Sequence, residues 1–269
     1  MSLLQVIEAG FGYERQEIFR KLNFQVEKGE IFCLLGPNGC GKTTLLDCIL
    51  GVRQLNAGKI LLNGQDLNTF RSGQIARYIA YVPQSHERTF PYTVMDIVKM
   101  GRAAYTGRFS APSKLDKAIA REALEMVGLF HLRHRPYTQL SGGEAQLVMV
   151  ARALAQKTPM IIMDEPTAHL DFKHELEVLE TIVELVGDSQ ISIIMATHFP
   201  NHSFYFENKK LPTRVALMHD HNFLELGRPS EVIAEENMKT LYGVNTRLIS
   251  CATGERSELK QLVPISTIS

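Results

Sequence analysis

Residues 36 to 43 read Gly-Pro-Asn-Gly-Cys-Gly-Lys-Thr and stand directly behind the apolar run Ile31 to Leu35. This octet constrains the fold because it needs a strand to deliver it and a helix to close it, and Thr44, Leu45, Leu46 and Asp47 can open that helix. Gly36, Gly39 and Gly41 let the backbone turn so that several N–H groups between Gly36 and Thr44 face one concavity, where the oxygens of a triphosphate fit. The helix adds its positive dipole end. Lys42 then reaches the β- and γ-phosphates, and the Thr43 hydroxyl completes a Mg²⁺ shell. Pro37, Asn38 and Cys40 lie inside the same loop. Alone, the octet also admits a glycine-rich structural turn; strand and helix on either side favour phosphate.

A chain of 269 residues can bury the core of one α/β unit with subdomains. Its 29 basic and 29 acidic residues cancel, so no global field attracts nucleic acid, and no nucleic-acid partner is expected. Apolar stretches such as Ile191 to Ala196 fall short of the roughly 20 residues that a membrane-spanning helix needs. No basic and apolar leader is evident, so secretion is not expected. Cys33, Cys40, Cys48 and Cys251 form no C-x-x-C pair and read as reduced thiols.

Leu4 to Ile7 and Leu22 to Val26 alternate apolar and polar residues around Gly10 and Gly12, which predicts an antiparallel hairpin. Lys59 to Leu62 predicts a strand ending in the tight-turn dipeptide Asn63-Gly64, and Tyr78 to Pro83 another strand. Between Pro91 and Leu154 the period becomes helical, with Gly101 to Ser113 as a loop inside that lobe. Strand Met160 to Met163, helix Leu176 to Val186, strand Ile191 to Ala196 and strand Arg214 to His219 follow, with a hairpin turn at His219 to His221. Strands alternating with helices imply a mostly parallel sheet, here with an antiparallel β subdomain and an inserted helical subdomain. The last dozen residues are expected to pack loosely.

Met160 to Met163 runs into Asp164-Glu165-Pro166. A carboxylate at a strand end beside a phosphate loop suits Asp164 to hold Mg²⁺ through water, and Glu165 can take a proton from an attacking water. Alone, the pair could equally start the next helix. Leu140-Ser141-Gly142-Gly143-Glu144 opens a helical stretch and offers a second anion site. One nucleotide rarely needs two such sites, which suggests that this one serves a neighbouring protomer.

In this ordered set the chain resembles the ATP-binding cassette ATPases, over nearly its whole length. Gly36 to Thr43 is similar to Walker A, Asp164 and Glu165 to the end of Walker B, and Leu140 to Glu144 to the signature. Gln84 stands at the Q-loop position, His198 at the switch histidine, Asp171 at the D-loop aspartate, and Tyr13 at the aromatic that stacks on adenine. The resemblance implies an ATP-hydrolysing P-loop core of residues 1–84 and 156–230, a helical subdomain of 85–155 and an extension of 231–269. It implies a head-to-tail homodimer with ATP and Mg²⁺ between Walker A of one copy and Ser141, Gly142 and Gly143 of the other. Gln84 and Thr43 join Asp164 at the metal, and Glu165, His198 and Gln84 carry catalysis. Glu144 stands where many relatives have Gln, and Ala145 where many have a basic residue. Phe199 to Pro212 lengthens the connection after His198, and Pro200 argues against a regular helix, hence against a metal pair of His198 and His202.

Thr93 to Arg102 and Gly227 to Gly243 narrow the resemblance to ATPase subunits of importers for iron chelates, haem and cobalamin, with molybdate-type relatives nearby. That implies a peripheral protein at the cytoplasmic face, two transmembrane permease subunits and, indirectly, an extracytoplasmic substrate-binding protein. Phe90, Tyr92, Tyr105, Arg108 and Phe109 are the candidate permease contact, unless they fill the lobe's own core. The alternative class is a soluble cassette ATPase of translation, repair or iron–sulfur assembly. Translation types usually pair two cassettes in one chain and repair types insert a long coiled coil, and this chain does neither.

Overall fold

The amino-terminal alternation becomes two long antiparallel strands, β1 (Ser2–Tyr13) and β2 (Gln16–Glu27), with Leu4, Val6, Leu22, Phe24 and Val26 turned inward. The computed structural model describes residues 2–14, 16–84, 90–106, 111–253 and 257–268. The chain continues through β3 (Ile31–Leu35), α1 (Lys42–Ile49), β4 (Ala57–Leu62), β5 (Gln65–Asp66), α2 (Ser72–Ile75), β6 (Ile79–Val82), α3 (Val94–Lys99) and α4 (Lys114–Met126). Next come α5 (Gly142–Ala155), β7 (Met160–Asp164), α6 (Phe172–Gly187), β8 (Ser192–Thr197), α7 (Pro200–Asn208) and β9 (Thr213–His219). Last are β10 (Asn222–Gly227), α8 (Pro229–Val232), α9 (Glu235–Tyr242), β11 (Val244–Thr253) and β12 (Ser257–Thr267). Two compact units result, Met1–Phe70 with Val183–Ser269, and Arg71–Ile182.

In the first unit β2, β1, β4 and β5 form an antiparallel sheet. Asn63 and Gly64, at φ 50° and 79°, make the left-handed turn that their dipeptide predicts. A second set runs β10, β9, β3, β8, in which β3 pairs in parallel with both β8 and β9 and β10 adds an antiparallel edge. All five residues of β3 are buried, which is why its sequence is a continuous apolar run instead of an alternation. Phe24 on β2 stacks on Phe32 of β3 at 4.6 Å and meets Phe223 of β10 edge-on at 5.7 Å, joining the two sheets. Burial pushes the thiols of Cys33 and Cys48 up, that of Cys48 to about 12, so neither ionises near neutrality.

In the second unit β6 and β7 pair in parallel, with Val82 opposite Met163, and α3, α4 and α5 pack on one another. Arg102, in a 3₁₀ turn, is buried and donates to Asp116 on α4 (2.9 Å) and to the Ala155 carbonyl at the end of α5 (2.9 Å). The Ser113 hydroxyl and the Arg102 guanidinium hold the Asp116 carboxyl down at about 2. The expected loop from Gly101 to Ser113 thus begins in a 3₁₀ turn and ends at the N-cap of α4, while residues 107–110 lie outside the described residues.

Two expectations are corrected. Pro200 does not prevent a helix: it occupies the first turn of α7, where its missing N–H costs nothing. Nor is the carboxyl-terminal end loose. Strands β11 and β12 pair from Val244 opposite Thr267 to Thr253 opposite Ser257, and the Asn201 amide accepts from Leu262 N–H (2.8 Å) and donates to its carbonyl (3.1 Å).

Candidate functional site

The loop that follows β3 is shaped by what its glycines exclude. A Cβ at Gly36 would lie 2.6 Å from the Met218 carbonyl oxygen and 2.7 Å from Cys40 Sγ, and Gly41, the N-cap of α1, has φ 104°. Gly39 also has positive φ, and the Cys40 N–H closes a turn on the Pro37 carbonyl (3.4 Å). Asn38 and Thr43 are exposed, while Pro37, Cys40 and Thr44 are half-buried. Lys42 is only 5% exposed and curls back over the loop, donating to the carbonyls of Gly36 (2.7 Å) and Pro37 (3.1 Å). A buried ammonium held by carbonyl dipoles, in a glycine loop that runs into the N-terminus of a helix, has the donor chemistry that a polyphosphate requires.

The neighbouring strand brings His198 to the same end of the sheet, since Leu35 is level with Thr197 in the parallel β3–β8 pair. Ligands of such sheets sit outside the carboxyl ends of the strands. The His198 ring lies 4.0 Å from that of Phe199. Thr197 Oγ1 accepts from the Phe199 N–H (3.1 Å) and meets His202 Nδ1 at 3.2 Å, fixing the turn that leads into α7. Tyr13 ends β1, is 42% exposed, and has its ring edge-on to that of Phe11 at 5.0 Å. Sequence reasoning missed Arg53, whose guanidinium stands 5.1 Å over the Tyr13 ring and whose Nε donates to Asp47 of α1 at 2.8 Å. Arg53 thereby ties the aromatic to the helix that opens after the phosphate loop.

In the second unit the acidic pair ends β7, parallel to β6, and Gln84 lies two residues beyond β6. Gln84 Nε2 donates to Glu165 Oε2 at 3.0 Å. Asp164 and Glu165 are both buried, and Glu165 has φ 45°, a left-handed backbone that L-residues avoid. The Ser141 hydroxyl caps α5 by accepting from the Glu144 N–H (3.2 Å), and Glu144 in return accepts from the Ser141 N–H (2.7 Å). That reciprocal capping box gives Glu144 a structural task. Asp171 caps α6 by accepting from the His174 N–H at 3.0 Å.

A glycine loop between a buried parallel strand and a helix, with His198 just beyond the carboxyl end of the neighbouring parallel strand, defines a P-loop nucleotide-binding protein. Residues 19–168 match the family model described as ABC transporter. The chain is 36% identical to the molybdate import ATP-binding protein MolC of Haemophilus influenzae over 89% of this chain and 87% of that protein. It is 32% identical to the iron(3+)-hydroxamate import ATP-binding protein FhuC of Bacillus subtilis over 93% of this chain and 91% of that one. A solved structure described as an inward-facing conformation of a metal-chelate type ABC transporter superposes with TM-score 0.86 at 33% identity, over 98% of both chains. The chain therefore belongs to the ABC transporter family, as a nucleotide-binding ATPase. Among the described residues, no helix is long and apolar enough to cross a membrane.

Proposed function

We propose that this chain is the ATP-hydrolysing subunit of an importer that moves a metal chelate or related metal compound across the cytoplasmic membrane. It works as a homodimer at the cytoplasmic face, beneath two permease subunits, with an extracytoplasmic binding protein delivering the cargo. The observation that carries this is similarity along 89% and 93% of the chain to proteins named for import of molybdate and of iron(3+)-hydroxamate. Those names favour import over a soluble cassette of translation, repair or iron–sulfur assembly. Residues 1–84 and 156–230 are assigned to the core, 85–155 to the helical lobe and 231–269 to the extension. Phe90, Tyr92 and Tyr105 are 64%, 48% and 41% exposed, which suits a permease contact better than a filled core. Arg108 and Phe109, also assigned to that contact, lie outside the described residues.

In this reading the loop from Gly36 to Thr44 binds the phosphates and Tyr13 stacks on the base. A magnesium ion held by Thr43, Gln84 and Asp164 would neutralise phosphate charge. Glu165 accepts the proton of the attacking water while Gln84 holds its carboxylate, and His198 contacts the γ-phosphate. Ser141, Gly142, Gly143 and Asp171 serve the nucleotide of the second copy. ATP closes the pair because it binds the closed state more tightly than the open one, and hydrolysis releases it. Tagged full-length chain, isolated from native membranes, is expected to bring down a polytopic membrane protein; recovery of cytosolic or ribosomal partners alone overturns the importer reading.

A further inference from the structure

Gly143 is packed so closely that a Cβ there would lie 2.1 Å from Cδ2 and 2.2 Å from Cγ of His174. That imidazole belongs to another helix, in the first turn of α6, after Asp171. Its Nδ1 lies 2.8 Å from both carboxylate oxygens of Asp171, and since a carboxylate only accepts, Nδ1 carries a proton. The His174 N–H and then its ring hold the Asp171 carboxyl below the usual range. Leu170 adds an ordinary contact beneath Gly142, at 3.8 Å from where a Cβ would be. The turn from Ser141 to Gly143 thus rests on residues 170 to 174, with the ring as its floor.

We propose that His174 is a positioning residue that locks this turn to Asp171, so that both present themselves to a second copy's nucleotide as one rigid piece. The inference rests on the reading above, in which Ser141 to Gly143 complete the second copy's site. It assigns two requirements to His174: filling the space against Gly143, and donating to Asp171. The ring meets both, and its orientation is set by the carboxylate instead of by packing alone.

The two requirements are separable in the full-length chain carrying Glu165→Gln, with ATP-driven dimerisation followed by size-exclusion and light scattering. His174→Ala, and His174→Leu, which fills space without donating, are each expected to raise the ATP concentration for half-maximal dimer about tenfold or more. His174→Asn, whose amide N–H can take the place of Nδ1–H, is expected to stay within about threefold of the parent. Binding of a fluorescent ATP analogue to the monomer should change less than about twofold in every variant. If Leu dimerises as readily as His, or Asn does no better than Leu, the positioning role is overturned, whether or not Ala folds. If Glu165→Gln alone fails to dimerise with ATP, the shared-site reading falls, and the role of His174 with it.

Discussion

Exchanging Glu165 for glutamine is expected to lower ATP turnover by about 10²–10⁴-fold while nucleotide binding persists and a nucleotide-bound dimer accumulates. The geometry makes this a clean substitution. Gln84 Nε2 donates to Glu165 Oε2 at 3.0 Å, and an amide at 165 keeps a carbonyl oxygen able to accept that bond. Volume and the left-handed backbone at φ 45° are likewise unaffected, so the fold has no reason to change. What disappears is an oxygen that can hold a proton taken from water. Phosphate release measures the first effect and size-exclusion with ATP the second. Wild-type hydrolysis by the variant would contradict the role of Glu165 as base, and a monomer at saturating ATP would contradict the shared nucleotide site.

The parts of this molecule that were legible in its sequence are those where one local rule dominates. β3 showed itself because a strand flanked on both sides must be apolar throughout, and Asn63-Gly64 because a left-handed turn tolerates few other dipeptides. The acidic pair and Ser141 to Gly143 stand at strand and helix ends, where the linear motif carries its own context. Four features stayed hidden because their cause is tertiary or ambiguous. Pro200 reads as a breaker until His198 and Phe199 are seen to end the preceding turn, which leaves the proline at the start of α7. The carboxyl-terminal pair β11–β12 has weak alternation and is steadied by Asn201, a residue remote in sequence. Arg53 and His174 carry no motif at all: one is placed by Tyr13 and Asp47, the other by Asp171 and Gly143. Only Glu144 left a readable trace, since Ser141 followed three residues later by a glutamate is a capping box.

Stability should depend visibly on the Phe32 side of β3. Phe32 is fully buried, stacked 15° from parallel on Phe24 at 4.6 Å, with the Arg214 guanidinium 5.9 Å from its ring centre. Truncating it to Ala empties the joint between the two sheets of the first unit and forfeits the stacking, a loss of about 3–5 kcal/mol. With roughly 2–4 °C per kcal/mol for a domain of this size, the melting midpoint should fall by about 6–20 °C. Function should separate from stability here. The phosphate loop is shaped by Gly36 and Gly41, whose nearest neighbours are Met218, Cys40 and Ile18, and by Lys42 on the loop's own carbonyls. ATP affinity measured well below the midpoint is therefore expected to stay within about threefold of wild type. Scanning calorimetry and nucleotide titration on the same preparation test both halves. A large loss of affinity in a variant still fully folded would mean that the stack on β3 sets the loop's conformation, and that its glycines alone do not.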